Sequence, residues 1–412
     1  MLKMKINKKS ISIISVVLVL VVAFGVILFN PFKPKSKIVS QKQPVSVTLS
    51  NPSTALIEQY SEDYMFARNP WDMQTYNGKV YISAGDYGAN SGPTKIICYD
   101  SKDGSFEKCD SIYSDQVSRF YVLDDCLYTV SVDPVSWGVG EFYRKTKNDE
   151  NDWFEPYSVL PSFVHCLDMA EFDDKLFFCG QVMNPDEYGM IQYIEKNDMP
   201  VEFIDTTKHA FIYKDGKEIT GDYIRIVVCE LIVFEDNLYA WHNSSERIGD
   251  PYEGLYIYNK EECRFDYIEG EKTLTPVIEK GDNQYDYDVI QAQVEYDGKL
   301  VFANNGLLFT DDLKNYTECN FGKGCEDFVA RDLLVIEDQL YILSSKKLEN
   351  GKFKTCVFVT EDLEKFSEVL NFEADSYMIS FEYIDKTFIF GEGGTNKDTA
   401  DSCGNLYAVK VD

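Results

Sequence analysis

Short runs of alternating apolar and polar residues recur from about residue 55 to the end of the chain. They are broken by small clusters of Asn, Asp, Glu and Gly. Seven pairs of runs share one plan, in which a strand-like run meets a tight turn and a second run opens with an apolar or aromatic pair. The copies read QTYNGKVYISAG, YVLDDCLYTVSV, AEFDDKLFFCGQ, IVFEDNLYAWHN, VEYDGKLVFANN, LVIEDQLYILSS and EYIDKTFIFGEG. Their turns fall at Asn77, Asp124, Asp173, Glu235, Asp297, Glu337 and Asp385, spaced 47, 49, 62, 62, 40 and 48 residues apart. Asn-Gly and Asp-Gly supply the positive φ that a two-residue hairpin requires. A second hairpin follows most copies, as in KIICYDSKDGSFEKC, GLYIYNKEECRFDYI and CVFVTEDLEKFSEV. The period-2 pattern therefore predicts four short strands per repeat.

Repeated four-stranded units of this length predict the blades of a β-propeller. The expected fold is all-β, a seven-bladed β-propeller with four-stranded blades over residues 55–412. HAFIYKDGKEIT, with its turn at Tyr213–Glu218, lies too close to the next copy to be a blade and is expected as an inserted hairpin. The last repeat runs out after three strands. Residues 45–50 (VSVTLS), or TALIEQY just after them, are expected to supply its fourth strand and so join the two ends of the ring.

The N-terminus changes the picture. Ile11 to Phe29 is a run of 19 residues without a charge, about 29 Å of helix, close to the hydrocarbon thickness of a bilayer. Four lysines precede the run and three follow it. This bias keeps the short basic end in the cytoplasm. Residues 1–10 are thus expected inside, 11–30 as a transmembrane signal-anchor helix, 31–54 as an extracellular stalk, and the propeller outside the cell. A cleaved signal peptide is the alternative.

The chain of 412 residues carries a net charge of −29. Setting aside the seven lysines of the first 37 residues leaves 33 basic against 69 acidic residues, a net of −36. Such a field repels phosphate backbones, so nucleic acid is not an expected partner. Eleven cysteines include no zinc-like spacing, and most lie in apolar runs as small buried side chains. One pair is a disulfide candidate: Cys98 and Cys109 flank the turn of CYDSKDGSFEKC, and a hairpin there would set them nearly opposite each other.

Two second hairpins contain Thr310, Asp312 and Tyr316, and Thr360, Asp362 and Phe366. These resemble the Asp-box, the S/T-x-D-x-x-x-x-aromatic turn of sialidase-like propellers, but lack its glycine and tryptophan. The chain as a whole resembles Kelch-like and sialidase-like propellers. The segment from Asn69 to Pro93 is similar to the opening blade of bacterial surface propellers. Asp-boxes are structural turns, so the resemblance implies a fold and no activity. Only Tyr223-Ile224-Arg225-Ile226 approaches the arginine motif of the sialidases, and in the wrong repeat.

Four of the seven arginines, Arg68, Arg119, Arg225 and Arg331, fall on or just before an expected innermost strand. Scattered salt bridges are the ordinary reading. The functional reading is a positive ring that holds a carboxylate or sulfate. Trp137, Asp86 and Asn90 lie on expected loops and are ligand-binding candidates; Trp71 and Trp241 are expected in the core. Asp282, Asp286 and Asp288 alternate in GDNQYDYDV and are a Ca²⁺ candidate; no other cofactor is expected. The three histidines are isolated, and no catalytic motif is present. The expected function is a membrane-anchored propeller that binds a surface glycan, peptide or protein. The alternative is an extracellular hydrolase or lyase acting on carbohydrate.

Overall fold

The computed structural model describes residues 44–135, 139–147, 156–161, 163–182, 190–196, 208–219, 227–243, 254–269, 292–303, 306–395 and 399–411. The anchor candidate 11–30 lies outside these residues, as do Trp137, Arg225, Asp282, Asp286 and Asp288. No helix among the described residues is long and apolar enough to cross a membrane.

Turn chemistry organises the strands. All seven turn residues adopt left-handed backbone, with φ of 49° at Asn77, 45° at Asp124, 52° at Asp173, 47° at Glu235, 51° at Asp297, 56° at Glu337 and 45° at Asp385. In six of the seven the next residue is also at positive φ. Two such residues in succession give the turn twist that matches the right-handed twist of the flanking strands. The register follows: Tyr76 pairs with Lys79, Phe234 with Asn237 and Ile384 with Thr387.

Among the described residues six hydrogen-bonded sheets result, five of them with four strands or more, in place of seven separate four-stranded ones. The first holds Met73–Tyr76, Lys79–Ile82, Thr94–Asp100 and Ser105–Ile112. The second holds Phe120–Leu123, Cys126–Val130, Val139–Thr146 and Pro156–Pro161. The third has ten strands because two meanders, beginning at Phe163–Phe172 and Val227–Phe234, are joined through the single pair Gln181–Val227. The fourth and fifth begin at Ala292–Tyr296 and Val329–Ile336. The sixth has three strands, Met378–Ile384, Thr387–Glu392 and Leu406–Lys410.

The core lies between the faces of successive sheets. Tyr81 and Ile96 of the first meet Phe120 and Leu127 of the second. Phe142 of the second meets Met169 and Phe178 of the third. Within the third, Phe177 and Ile191 of one meander meet Leu231 and Tyr256 of the other. Phe234 and Trp241 continue to Leu300 and Phe302 of the fourth, and Val301 and Ala303 to Ile342 and Phe358 of the fifth. Phe372 packs against Phe390 of the sixth at 5.0 Å. Ile384 and Ile389 of the sixth then meet Met73 and Val80 of the first, which closes a ring. A side chain added at Gly391 would stand 2.3 Å from Pro70 Cγ. Gly391→Ala should therefore overpack this closing seam and lower stability by about 1–3 kcal/mol, read as a fall in urea midpoint at unchanged slope.

The chain ends close the ring differently from expectation. Val45–Ser46 adds in parallel to Ser367–Ala374, the outer strand of the fifth sheet, and not to the last sheet. Ser53 alone reaches the last sheet, exchanging two backbone hydrogen bonds with Leu406 at 2.8 and 2.9 Å. Asn51 at φ 51° and Pro52, which has no N–H, stop a strand from running back from that point. TALIEQY does not supply the strand either; Ala55–Gln59 is a short helix that buries Leu56. The inserted hairpin exists as Ile212–Lys214 and Lys217–Glu218, while Lys208–Ala210 leaves it to pair with Ile191–Glu195. Ile212–Lys214 adds in parallel to Arg264–Tyr267, so two outer edges are covered in the same way. Cys98 and Cys109 form a disulfide with Cα atoms 5.8 Å apart. Cys98 stands opposite Glu107, and Cys109 occupies the irregularity beside the Ile97–Lys108 pair. The two Asp-box-like turns are alike: Thr310 Oγ1 accepts the N–H of Asp312 and Leu313, as Thr360 Oγ1 accepts those of Asp362 and Leu363.

Candidate binding face and acidic axis

Antiparallel strands send alternate connections to opposite ends of a sheet. The tight turns occupy one end; the loops between second and third strands and the connectors between sheets occupy the other. Asp86 and Asn90 lie at that second end, in the loop before Thr94–Asp100. The Asp86 N–H donates to the Asp115 carbonyl at 2.9 Å and to Ser91 Oγ at 2.8 Å. Asn90 is left-handed at φ 51°.

Two connectors form a small ladder over this loop. Ser114 pairs with Pro134, the Asp115 N–H donates to the Asp133 carbonyl at 2.8 Å, and the Val135 N–H donates to the Tyr113 carbonyl at 3.3 Å. Tyr113 is 63% exposed and Val135 40%. Asp115 Oδ1 accepts the Gly92 N–H at 2.6 Å, which ties the loop beneath the ladder. Burial pushes the Asp115 carboxyl up. Burial, and then the Asp115 charge, push Asp133 up to about 6. Asp133 stands 3.8 Å from His165 Nδ1, which donates to the Val132 carbonyl at 2.9 Å. Burial lowers the His165 pKa, so at neutral pH this ring is uncharged.

The described arginines do not form the expected ring, because each takes a different partner. Arg68 ends a short 3-10 turn and donates to the Ser61 carbonyl at 3.0 Å. The Arg331 guanidinium lies 4.5 Å from the centre of the Tyr377 ring. Of the three, Arg119 alone points to the axis, where Nη1 meets Asp168 Oδ1 at 3.3 Å and Glu230 Oε2 at 3.1 Å. Trp241 is buried, as expected; Trp71 is half-buried and donates to the Gly85 carbonyl at 2.8 Å.

What lines the axis is acidic. Asp72 accepts the Phe120 N–H at 2.6 Å, Asp168 the Leu231 N–H at 2.8 Å, and Asp332 the Phe381 N–H at 2.9 Å. In each case a carboxylate on or beside one innermost strand takes a backbone donor of the next. Glu382 of the last sheet accepts the Thr75 N–H at 2.7 Å, 307 residues away, and so clasps the end of the ring to its beginning. Tyr121 also donates to Asp168. Burial raises Asp72 to about 6 and Glu382 to about 7. It raises Glu230 and Asp332 as well.

Sequence reasoning picked out Arg119 but missed the acids, although a signal exists. Asp72, Arg119, Asp168, Glu230 and Asp332 each stand five residues before their turn residue. They occupy one level of the ring. Among the described residues, no group of three or more His, Cys, Asp or Glu side chains is arranged to hold a metal ion.

Short sheets set around an axis, packed face to face and closed from last to first, define a β-propeller. No family model and no curated protein matches the chain. Among solved structures it is similar to a catalytically inactive virginiamycin B lyase from Staphylococcus aureus with quinupristin, at TM-score 0.45 and 12% identity over 84% of this chain and 95% of that one. It is similar to a 6-phosphogluconolactonase-like protein from Bacteroides uniformis, at 0.45 and 10% over 81% and 97%. It is also similar to the β-propeller domain of the Trilobed protease from Pyrococcus furiosus, at 0.42 and 9% over 88% and 92%. Likenesses of this size carry nothing about ligand or activity.

Proposed function

We propose that this chain is a membrane-tethered, extracellular binding propeller of seven blades whose loop face takes a ligand or partner. The seven left-handed turn residues, recurring along the chain, support the count of seven. The tether and the orientation rest on the uncharged run and the lysine bias of residues 1–37. The paired Thr-Asp turns support kinship with sialidase-like propellers. One observation carries the binding reading: Tyr113 and Val135 are held out to solvent on an ordered ladder beside Asp133. Adjacent exposed apolar groups with a polar rim mark interaction sites.

Glycan and peptide arrays probed with the full-length chain in detergent test this reading. Tyr113→Ala should weaken the best array ligand about tenfold, the loss of a central aromatic anchor, while leaving stability within about 0.5 kcal/mol, as for a surface change. Turnover of any glycan on the array would overturn the binding reading in favour of a hydrolase or lyase.

A further inference from the structure

Three segments meet on the loop face: residues 84–93, 113–118 and 131–135. Together they contain Asp86, Asp115 and Asp133 and not one Lys or Arg. The ladder sets Tyr113 opposite Val135 and Asp115 opposite Asp133, on the two rungs that flank Ser114–Pro134, so the exposed ring and the two carboxylates lie on alternate rungs. Gly92 passes beneath both rungs; a side chain there would stand 2.5 Å from Asp115 Oδ1 and 2.7 Å from Val135 Cγ2. The rungs therefore rest on one support and share a face. Asp115 is buried and used by Gly92. Asp133 keeps part of its carboxylate open to solvent, its side chain 24% exposed.

Resting on the reading of this face as a binding surface, we infer that it grips a cationic side chain, a lysine or arginine of a peptide or protein partner. The ammonium or guanidinium sits against Asp133, and its methylene stem lies along Tyr113 and Val135. Charge complementarity selects this occupant. The two aspartates repel each other in a partly dry setting, and a cation relieves that repulsion where a neutral hydroxyl does not. An aromatic face beside the carboxylate adds attraction for a cation and packs its stem.

Linkage then sets the pH dependence. Asp133 must be ionised to hold the cation, so affinity rises with pH through about 6. The other groups around it are Asp115 and Asp86 on the neighbouring loops and His165 on the next strand. Tyr143 bonds to the Tyr113 backbone and donates its hydroxyl to Glu141. Burial disfavours a positive charge on His165, so it is a poor competitor for the ligand.

The test is calorimetry of the full-length chain in detergent with trilysine amide, and with cellotriose as the neutral probe. Trilysine is expected to bind about tenfold more weakly at pH 5 than at pH 7.5, and about tenfold more weakly to Asp133→Asn at pH 7.5. Tyr113→Ala should weaken it about threefold. Glu364→Gln, an exposed carboxylate among the tight turns, should leave it unchanged. If trilysine binds Asp133→Asn as well as the parent chain, or more tightly at pH 5, the cationic inference falls. Cellotriose binding that depends on Tyr113 also overturns that inference, but leaves the binding face in place. If Tyr113→Ala alters neither probe nor any array ligand, both readings fall together.

Discussion

Arg119→Leu should destabilise the protein by about 3–5 kcal/mol, the usual result of removing one partner of a buried ion pair. Asp168 and Glu230 have side chains only 2% and 1% exposed, and Arg119 meets both. Without it, two carboxylates remain near each other in a dry site. Glu230 must then take up a proton, or the first strands of neighbouring sheets must part. Urea titration of the full-length chain should show the loss at pH 8 and a smaller loss at pH 5, where protonation of Glu230 removes one orphaned charge. Combining Arg119→Leu with Asp168→Asn and Glu230→Gln should recover part of the stability, since no charge is then left buried. A loss below about 0.5 kcal/mol at pH 8 would show that Arg119 is not the counter-charge of this axis.

Acidification from pH 8 to pH 5 should stabilise the fold, the reverse of ordinary acid denaturation. Glu382 titrates at about 7 and Asp72 at about 6 in the folded state because of burial. In the unfolded chain such groups titrate near 4. Between those values the native state binds more protons than the unfolded state, so stability falls as pH rises. The penalty is absent below about pH 4 and complete above about pH 7 to 8. Each group contributes up to about 1.4 kcal/mol per pH unit within its own window. The expected gain on going from pH 8 to pH 5 is on the order of 3 kcal/mol, read as a higher thermal midpoint. Self-repulsion of the acidic surface has the same sign, but 0.5 M salt screens it and leaves the buried groups unscreened. Glu382→Gln should flatten the profile measured in salt. A profile that salt abolishes would mean that the surface alone is responsible.

Much of the fold was legible in the chain because hairpin chemistry is local. Asn77, Asp173 or Asp385 needs only its own backbone to favour a left-handed turn, and each turn sets the register of two strands. The Thr310 and Thr360 turns are local in the same way. Ring closure was not legible. Val45–Ser50 alternates as a strand should, yet alternation does not name a partner. Pro52 and the left-handed Asn51 divert the chain so that only Ser53 reaches the last sheet. The join between two meanders at Gln181–Val227 likewise depends on how neighbouring sheets approach.

The axial acids were hidden in the sequence, while the arginines stood out. Four arginines drew attention because arginine is scarce in this chain, whereas a single acid in an apolar strand is easily taken as one more surface charge. LDMAEF, VCELIVF and ARDLLVI each hide a carboxylate at the same offset from a turn. Only a neighbouring strand offers it a backbone N–H and so gives it a reason to be buried.

By itself the sequence determined where the hairpins turn, how the strands alternate and that the repeats build one ring, since these depend on residues within a few positions of one another. The tertiary structure alone decided which strand closes the ring, which charges face the axis and which aromatic stays outside. Those outcomes depend on groups from different repeats, as far apart as Thr75 and Glu382, whose hydrogen bonds and solvation exist only once the sheets have packed.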